Sequence, residues 1–283
     1  MMNLICCILG GGVSAVVGYC SGIFDSVGKI WLFPVLWLLF YVAFVALTFC
    51  VLFLVSFVLK KQPPEKPNKF ALFIVKYVTD FICQMSNLKI HMKNGDLLKK
   101  GPNYLIVFNH RSKYDNLIIL NKFGRVNPVM ISKPENLKIP LAGPFINRAG
   151  FLAIDRENDR EALKTIVKAS KFLKNENVSV CICPEGTRNR TGRDLLPFKV
   201  GALKVGTRVS APIAVITFEG TQNVHKNAPF KKTHVYLDVL KVYQPEEYKN
   251  KNTHELGEEI RAVMQANIDA YSQRIDQCEK MSA

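Results

Sequence analysis

The sequence predicts an α/β domain, a central mixed sheet flanked by helices, preceded by one or two N-terminal transmembrane helices. Three observations carry this expectation. Short apolar runs alternate with helical stripes from about residue 104 onward. Residues 31–59 form a stretch of 29 without a charged side chain. The formal net charge of +15, from 38 Lys and Arg against 23 Asp and Glu, falls entirely beyond residue 59. Before that point only Asp25 and Lys29 are charged, and they cancel. This split excludes a uniform soluble globule, and a composition 48% hydrophobic excludes a disordered chain.

Residues 31–59 would make a helix about 43 Å long, against a hydrocarbon core of roughly 30 Å, so a tilted span fits. Pro34 lies near its start, where proline is tolerated. Residues 1–24 also lack charged side chains and read as a second span, although five glycines weaken it as a helix. Asp25 to Lys29 would be the tip of the hairpin. A cleaved signal peptide fits poorly because no basic side chain precedes the apolar run. Lys60, Lys61, Lys66, Lys69 and Lys76 follow, a positive flank that places the rest on the cytoplasmic face of a cell membrane or endomembrane. Residues 62–68, rich in proline and lysine, read as a linker. Residues 70–85 are apolar but short for a span, so they are expected at the membrane surface or packed on the domain. The chain thus divides into an anchor (1–61), a linker with an interfacial helix (62–86) and a cytoplasmic domain (87–283).

Within the domain, strands are expected at 104–108, 129–132, 151–154, 178–183, 212–218 and 235–242. A helix is expected at 115–120. Ala162, Leu163, Ile166, Val167, Ala169, Ser170 and Leu173 form a second helical stripe, with Asn158 or Asp159 as its cap. Residues 198–208 read as helical despite Gly201 and Gly206, and 255–275 as an amphipathic terminal helix. Proline and glycine punctuate 134–150. Of eight cysteines, four (Cys6, Cys7, Cys20, Cys50) lie in the apolar segments, and Cys181 and Cys183 alternate along a strand. Cys83 and Cys278 are isolated. Buried thiols in a reducing compartment fit this pattern better than a disulfide framework or a zinc site.

Three segments can carry chemistry. The first is Asn-His-Arg-Ser-Lys-Tyr-Asp at 109–115. A histidine directly after a strand sits at the carboxyl edge of the sheet, where α/β proteins place ligands. Residues five apart in one helix point about 140° apart, so His110 and Asp115 meet only if the histidine lies in the loop and the aspartate in the first helical turn. Asp115 would then accept the Nδ1 proton and leave Nε2 as a base for a substrate hydroxyl. Ser112 and Asp115 also form a capping box, which needs no histidine. Both readings stand on this segment alone, and they coexist if Ser112 alone caps the helix.

The second segment, 184–193, packs Arg188, Arg190 and Arg193 beside Gly186 and Gly192 after a strand. It suits bidentate binding of a phosphate, or it is a solvated basic turn. Glu185 beside these arginines fits an orienting partner better than a catalyst. The third segment, 150–156, ends a strand in Asp155 and Arg156. Arg156 is a second phosphate ligand, or it pairs with Asp155, Glu157 or Asp159. Lys133, after the preceding strand, is a weaker third cation.

The order and joint presence of these segments resembles the glycerophospholipid acyltransferase family, and within it the 1-acyl-glycerol-3-phosphate acyltransferases. The resemblance runs from about residue 88 to 217. Residues 109–115 fit the family's first motif, 150–156 its second, and Pro184 to Arg188 its third, extended by Leu196, Pro197, Phe198, Lys199, Gly201 and Ala202. The fourth motif keeps Pro212, but Ala214 stands where a second proline is usual. The resemblance implies that His110 deprotonates the sn-2 hydroxyl of lysophosphatidic acid, with Asp115 holding the imidazole, and that the oxygen attacks the thioester of acyl-CoA or acyl carrier protein. It implies that Arg156 and Arg188, with Lys133, hold the acceptor phosphate, and it assigns Glu185, Gly186 and Thr187 to the same site. It implies neither a cofactor nor a metal.

Other readings remain at this stage. The acceptor is alternatively glycerol 3-phosphate, another lysophospholipid or a lyso-aminolipid. A non-catalytic protein binding anionic membrane lipid would need spans and positive charge but not His110 with Asp115. Nucleic acid is a poor partner, because the basic residues are dispersed and not interleaved with aromatics.

Overall fold

The computed structural model describes residues 2–59, 65–155, 157–190 and 194–282, with side chains described to residue 273. The anchor is a hairpin of α1 (Met2–Cys20) and α2 (Leu32–Val58), joined by single 3-10 turns at Ile23–Asp25 and Val27–Lys29. Both helices are long and apolar enough to cross a membrane. The buried residues of α1 are Met2, Cys6, Gly10, Ser14 and Gly18, every fourth residue, so they form one seam. A Cβ on Gly10 would come within 2.9 Å of the Tyr41 backbone nitrogen of α2. The glycines that weaken α1 as an isolated helix therefore let its partner approach. Trp37 Nε1 donates to the Cys7 carbonyl at 3.1 Å, and Tyr41 Oη donates to Asn3 Oδ1 at 2.9 Å. Lys60 and Lys61, and the linker up to Pro64, lie outside the described residues.

Helix α3 (Lys69–Met85) is the expected 70–85 segment, started by Asn68, whose side chain accepts from the Ala71 amide at 2.9 Å. It packs one face on the domain, the second of the two expectations for that segment. Ala71, Leu72, Val75, Thr79 and Cys83 pack on the domain, while Phe70, Phe73 and Met85 point outward. Polar contacts tie α3 to both sides. Asn3 of α1 donates to Gln84 at 2.8 Å, and Asn121 of α4 (Tyr114–Lys122) donates to Asp80 at 3.0 Å. Ser86, just past its end, shares a 3.0 Å hydrogen bond with Tyr114 Oη.

Seven strands form one sheet: β1 (Leu88–Lys93), β2 (Leu105–Phe108), β3 (Pro128–Ser132), β4 (Leu152–Ala153), β5 (Ser179–Ile182), β6 (Ile213–Glu219) and β7 (Thr233–Tyr243), in the order β1-β7-β6-β2-β5-β3-β4. Strands β2 to β6 are mutually parallel, β7 runs antiparallel to β6, and β1 runs parallel to β7. The sheet is mixed, as expected, and the carboxyl ends of β2 to β6 share one edge. The central strands are buried on both faces, so β2, β5 and β6 read as continuous apolar runs, while β7 alternates. The strand expected at 151–154 is only two residues long. Strand β1, alternating apolar and polar as a half-covered edge does, is an element the sequence reading passed over.

Helices α3, α4 and α5 (Ala142–Arg148) pack together, and α5 falls in the stretch read only as punctuated. Helix α6 (Asp159–Asn175) takes Asn158 as its cap, not Asp159, and buries Ile166, Ala169, Phe172 and Leu173. The helix expected at 198–208 is a 3-10 turn, Val200–Leu203, followed by a single helical turn, Lys204–Thr207. Gly206 there packs against Leu105 of β2, where a Cβ would meet the leucine at 3.0 Å. The terminal helix (Thr253–Ser282) buries Leu256, Ile260, Met264 and Ile268 against this turn and β6. The crossovers β2-α4-β3 and β4-α6-β5 run in opposite directions along the sheet, so right-handed connection puts α4 and α6 on opposite faces.

Candidate active site at the carboxyl edge of the sheet

His110 lies two residues past β2, in the loop before α4, and Asp115 is the second residue of that helix. This is the one arrangement in which the pair can meet. His110 Nδ1 stands 2.9 Å from Asp115 Oδ2, with the histidine side chain 19% exposed and the aspartate fully buried. The same Oδ2 accepts the amides of Arg111 at 2.8 Å and Ser112 at 2.7 Å. Oδ2 faces His110 Nδ1 and two amide donors, which fixes its rotamer; in the neutral ring the hydrogen then sits on Nδ1 and Nε2 is the nitrogen left without one. Nε2 has no partner among the described residues.

The capping alternative resolves in an unexpected way. The N-cap by helix bounds is Lys113, itself helical and with no side-chain cap, yet Ser112 and Asp115 make the reciprocal bonds of a capping box one residue earlier. The Ser112 hydroxyl accepts from the Tyr114 amide at 3.3 Å, and the Asp115 amide bonds to the Ser112 carbonyl. Asp115 itself reaches back to the Arg111 and Ser112 amides ahead of the helix, while also holding His110. Capping box and orienter share one side chain.

Two strands neighbouring β2 pin this loop, β6 directly and β5 through the segment that follows it. Asn109 bonds twice to the Phe218 backbone of β6, donating to its carbonyl at 3.0 Å and accepting its amide at 2.7 Å. Arg111 pairs with Glu219 at the end of β6, at 3.1 Å, both side chains nearly buried. Glu185, after β5, accepts the His110 amide at 2.8 Å through Oε1 and the Leu196 amide at 3.1 Å through Oε2. The His110 carbonyl accepts the Asn189 amide at 2.7 Å. Burial pushes the Glu185 carboxyl up, opposed by these amides and by His110 and Arg111.

The other expected residues sit around the same edge. Gly186 has φ +72, which favours glycine, and its amide is taken by the Cys183 carbonyl at 3.2 Å. Thr187 is exposed and Arg188 half-buried. Lys133 is exposed at the end of β3. Arg156 lies outside the described residues, as do Thr191, Gly192 and Arg193. Glu219 and Asn189 were not singled out from sequence. Glu219 only becomes visible once β6 is known to lie beside β2, and no local spacing signals that. Lys199, in the extension of the third motif, brings a further cation: its side chain lies over Gly186, where a Cβ would meet its Cε at 3.2 Å.

A family model described as Acyltransferase matches residues 89–219, the span that holds all of these groups except the anchor contacts. The 1-acyl-sn-glycerol-3-phosphate acyltransferase of Borreliella burgdorferi is 31% identical over 176 residues, covering 59% of this chain and 68% of that one. The chain belongs to this acyltransferase family. A similarly named enzyme of Salmonella typhimurium is 28% identical over 205 residues, 72% of the present acyltransferase and 82% of the relative. The acyltransferase also shares its fold with the solved 1-acyl-sn-glycerophosphate (LPA) acyltransferase of Thermotoga maritima. That match has a TM-score of 0.58 at 21% identity, over 71% of this chain and 79% of that one.

Proposed function

We propose that this glycerophospholipid acyltransferase moves an acyl group from acyl-CoA or acyl carrier protein to the sn-2 hydroxyl of 1-acyl-glycerol-3-phosphate, giving phosphatidic acid. The observation that carries the mechanism is the 2.9 Å contact between His110 Nδ1 and Asp115 Oδ2, which leaves Nε2 unengaged. Nε2 takes the hydroxyl proton as the oxygen attacks the thioester carbonyl. Asp115 stabilises the resulting imidazolium. The carbon–sulfur bond then breaks, and the thiolate leaves with the proton from His110. No acyl-enzyme is required, because the thioester is already activated, and no step calls for a cofactor or metal.

Arg188, Lys133 and Arg156 hold the acceptor phosphate, helped by the Thr187 hydroxyl. Gly186 contributes the turn and Glu185 braces His110, since both its oxygens are occupied by amides. The relatives' names support a lysophosphatidate acceptor. The two apolar helices anchor the enzyme to a cell membrane or endomembrane, and Lys66 and Lys69, following Lys60 and Lys61, place the domain on its cytoplasmic face.

The test uses purified protein, labelled acyl-CoA and a panel of acceptors. His110→Ala should lose at least about 10²-fold in turnover, the usual scale for a general base. Unchanged turnover would sink the mechanism. Lysophosphatidate should be the best acceptor, and faster turnover of a lyso-aminolipid would remove the substrate assignment.

A further inference from the structure

Beyond α3, the large apolar side chains of the described residues are at most about half exposed, Leu163 reaching 51%, with one exception. Phe230 is 94% exposed. A single exposed aromatic is ordinary, but this one is set in a particular surrounding. It stands in the loop between β6 and β7, beside exposed Lys226, Lys231 and Lys232, and no acidic residue occurs between Glu219 and Asp238.

The loop is held in place. The Ala228 amide bonds to the Val224 carbonyl at 2.9 Å, and that of Lys231 to Asn227 at 2.7 Å. The Asn227 side chain donates to Thr233 Oγ1 at 3.0 Å. Gly220, at φ +87, makes the turn out of β6, where a Cβ would strike the His234 carbonyl oxygen at 2.3 Å. The ring is therefore displayed on a fixed base.

Its position is also defined. The loop leaves β6 one residue after Glu219, the partner of Arg111, so it belongs to the sheet edge that carries His110. On its other side, the Thr233 amide bonds to the carbonyl of Asn87 at 3.1 Å, and Asn87 donates to the Phe230 carbonyl at 3.5 Å. Asn87 lies two residues past α3, whose end carries the exposed Met85 and bonds through Gln84 to the anchor hairpin.

We propose that residues 226–232 form a second membrane contact, separate from the anchor hairpin. Phe230 enters the headgroup region of an anionic bilayer, and Lys226, Lys231 and Lys232 engage its anionic lipids. An aromatic ring with flanking lysines has both the apolar and the electrostatic attraction that an interfacial site requires. The contact presses the His110 edge onto the surface from which the acceptor is drawn. It rests on the membrane part of the function proposed above.

The test places 4-trifluoromethyl-phenylalanine at position 230 of the full chain, and separately at Leu39 of α2 as a control. Both proteins are reconstituted in vesicles of phosphatidylcholine with phosphatidylglycerol. The 230 fluorine signal should be broadened by nitroxide-labelled lipid and shielded from an aqueous paramagnetic chelate. Replacing Lys226, Lys231 and Lys232 with Gln should raise its access to the chelate at least about threefold. Access to the chelate at 230, with lipid broadening at 39, overturns this proposal and leaves the anchor intact. Access at both positions overturns the anchor reading and this proposal with it. Shielding from both reagents would mean a protein partner covers the loop, and would also overturn it. A Phe230→Ser enzyme should show a severalfold higher KM for lysophosphatidate in anionic vesicles and an unchanged kcat in detergent micelles.

Discussion

One oxygen of Asp115 makes three contacts: it accepts two amides before α4 and faces His110 Nδ1, the place where the proposed mechanism would form an imidazolium. The fully buried Asp115 side chain and its short contacts suit a group whose geometry has to be kept through a reaction. Glu185 braces the same loop by accepting the His110 amide. Burial raises its carboxyl above the ordinary 4.5, so the folded chain binds this proton more tightly than the unfolded one. The sign follows directly. The stability contributed is present below about pH 4.5 and is lost as pH rises through the raised value. Glu185→Gln mimics the neutral form, so the thermal midpoint of wild type relative to this variant should fall as pH is raised from about 4.5. A difference that stays constant, or grows with pH, would show that burial does not dominate at this carboxyl.

At the scale of elements, the hairpin and α3 decide how the domain meets its surroundings. Gly10→Leu would force α1 off the Tyr41 backbone, an overpacking expected to cost about 1–3 kcal/mol. The expected outcome is a lower thermal midpoint in detergent. An unchanged midpoint would mean that the seam does not hold the helices together. The same seam shows how local signals mislead. Glycines count against a helix when propensity is weighed alone, and here they are the contact surface. In the opposite direction, Gly201 and Gly206 did signal a broken element, and the segment folds as two short turns. Helix α4 was legible because a strand end, a histidine and an acid at five-residue spacing admit one geometry. Strand β1 was missed although Leu88, Ile90 and Met92 alternate with Lys89, His91 and Lys93, the period-two pattern of a half-covered strand.

At the scale of the whole molecule, the α/β layering was readable and the neighbourhood of the strands was not. Alternation of strands and helices predicted the layers, and motifs at strand ends predicted a common edge. The strand order, which puts β6 and β5 on either side of β2, comes from long-range pairing that no window of sequence reveals. That is why His110 and Asp115 could be paired from spacing, while the Arg111–Glu219 pair, 108 residues apart, could not. The uneven charge likewise reads differently in three dimensions. Part of the basic excess stands at the candidate phosphate site, in Arg188 and Lys133. A separate part rims Phe230.

The antiparallel insertion of β7 between β1 and β6 also sets an order of events during synthesis. The hairpin leaves the ribosome first and can partition into lipid while the rest is unmade. Strand β1 then emerges, but among the described residues its one strand partner is β7, and the contact between Asn94, just past β1, and Val239 spans 145 residues. This edge strand therefore waits unpaired until most of the chain exists. Nascent chains stalled before residue 233 should accordingly expose β1 to added protease at the membrane, and chains released after residue 273 should protect it. Equal protection at both lengths would mean that another segment shelters β1 in the interval.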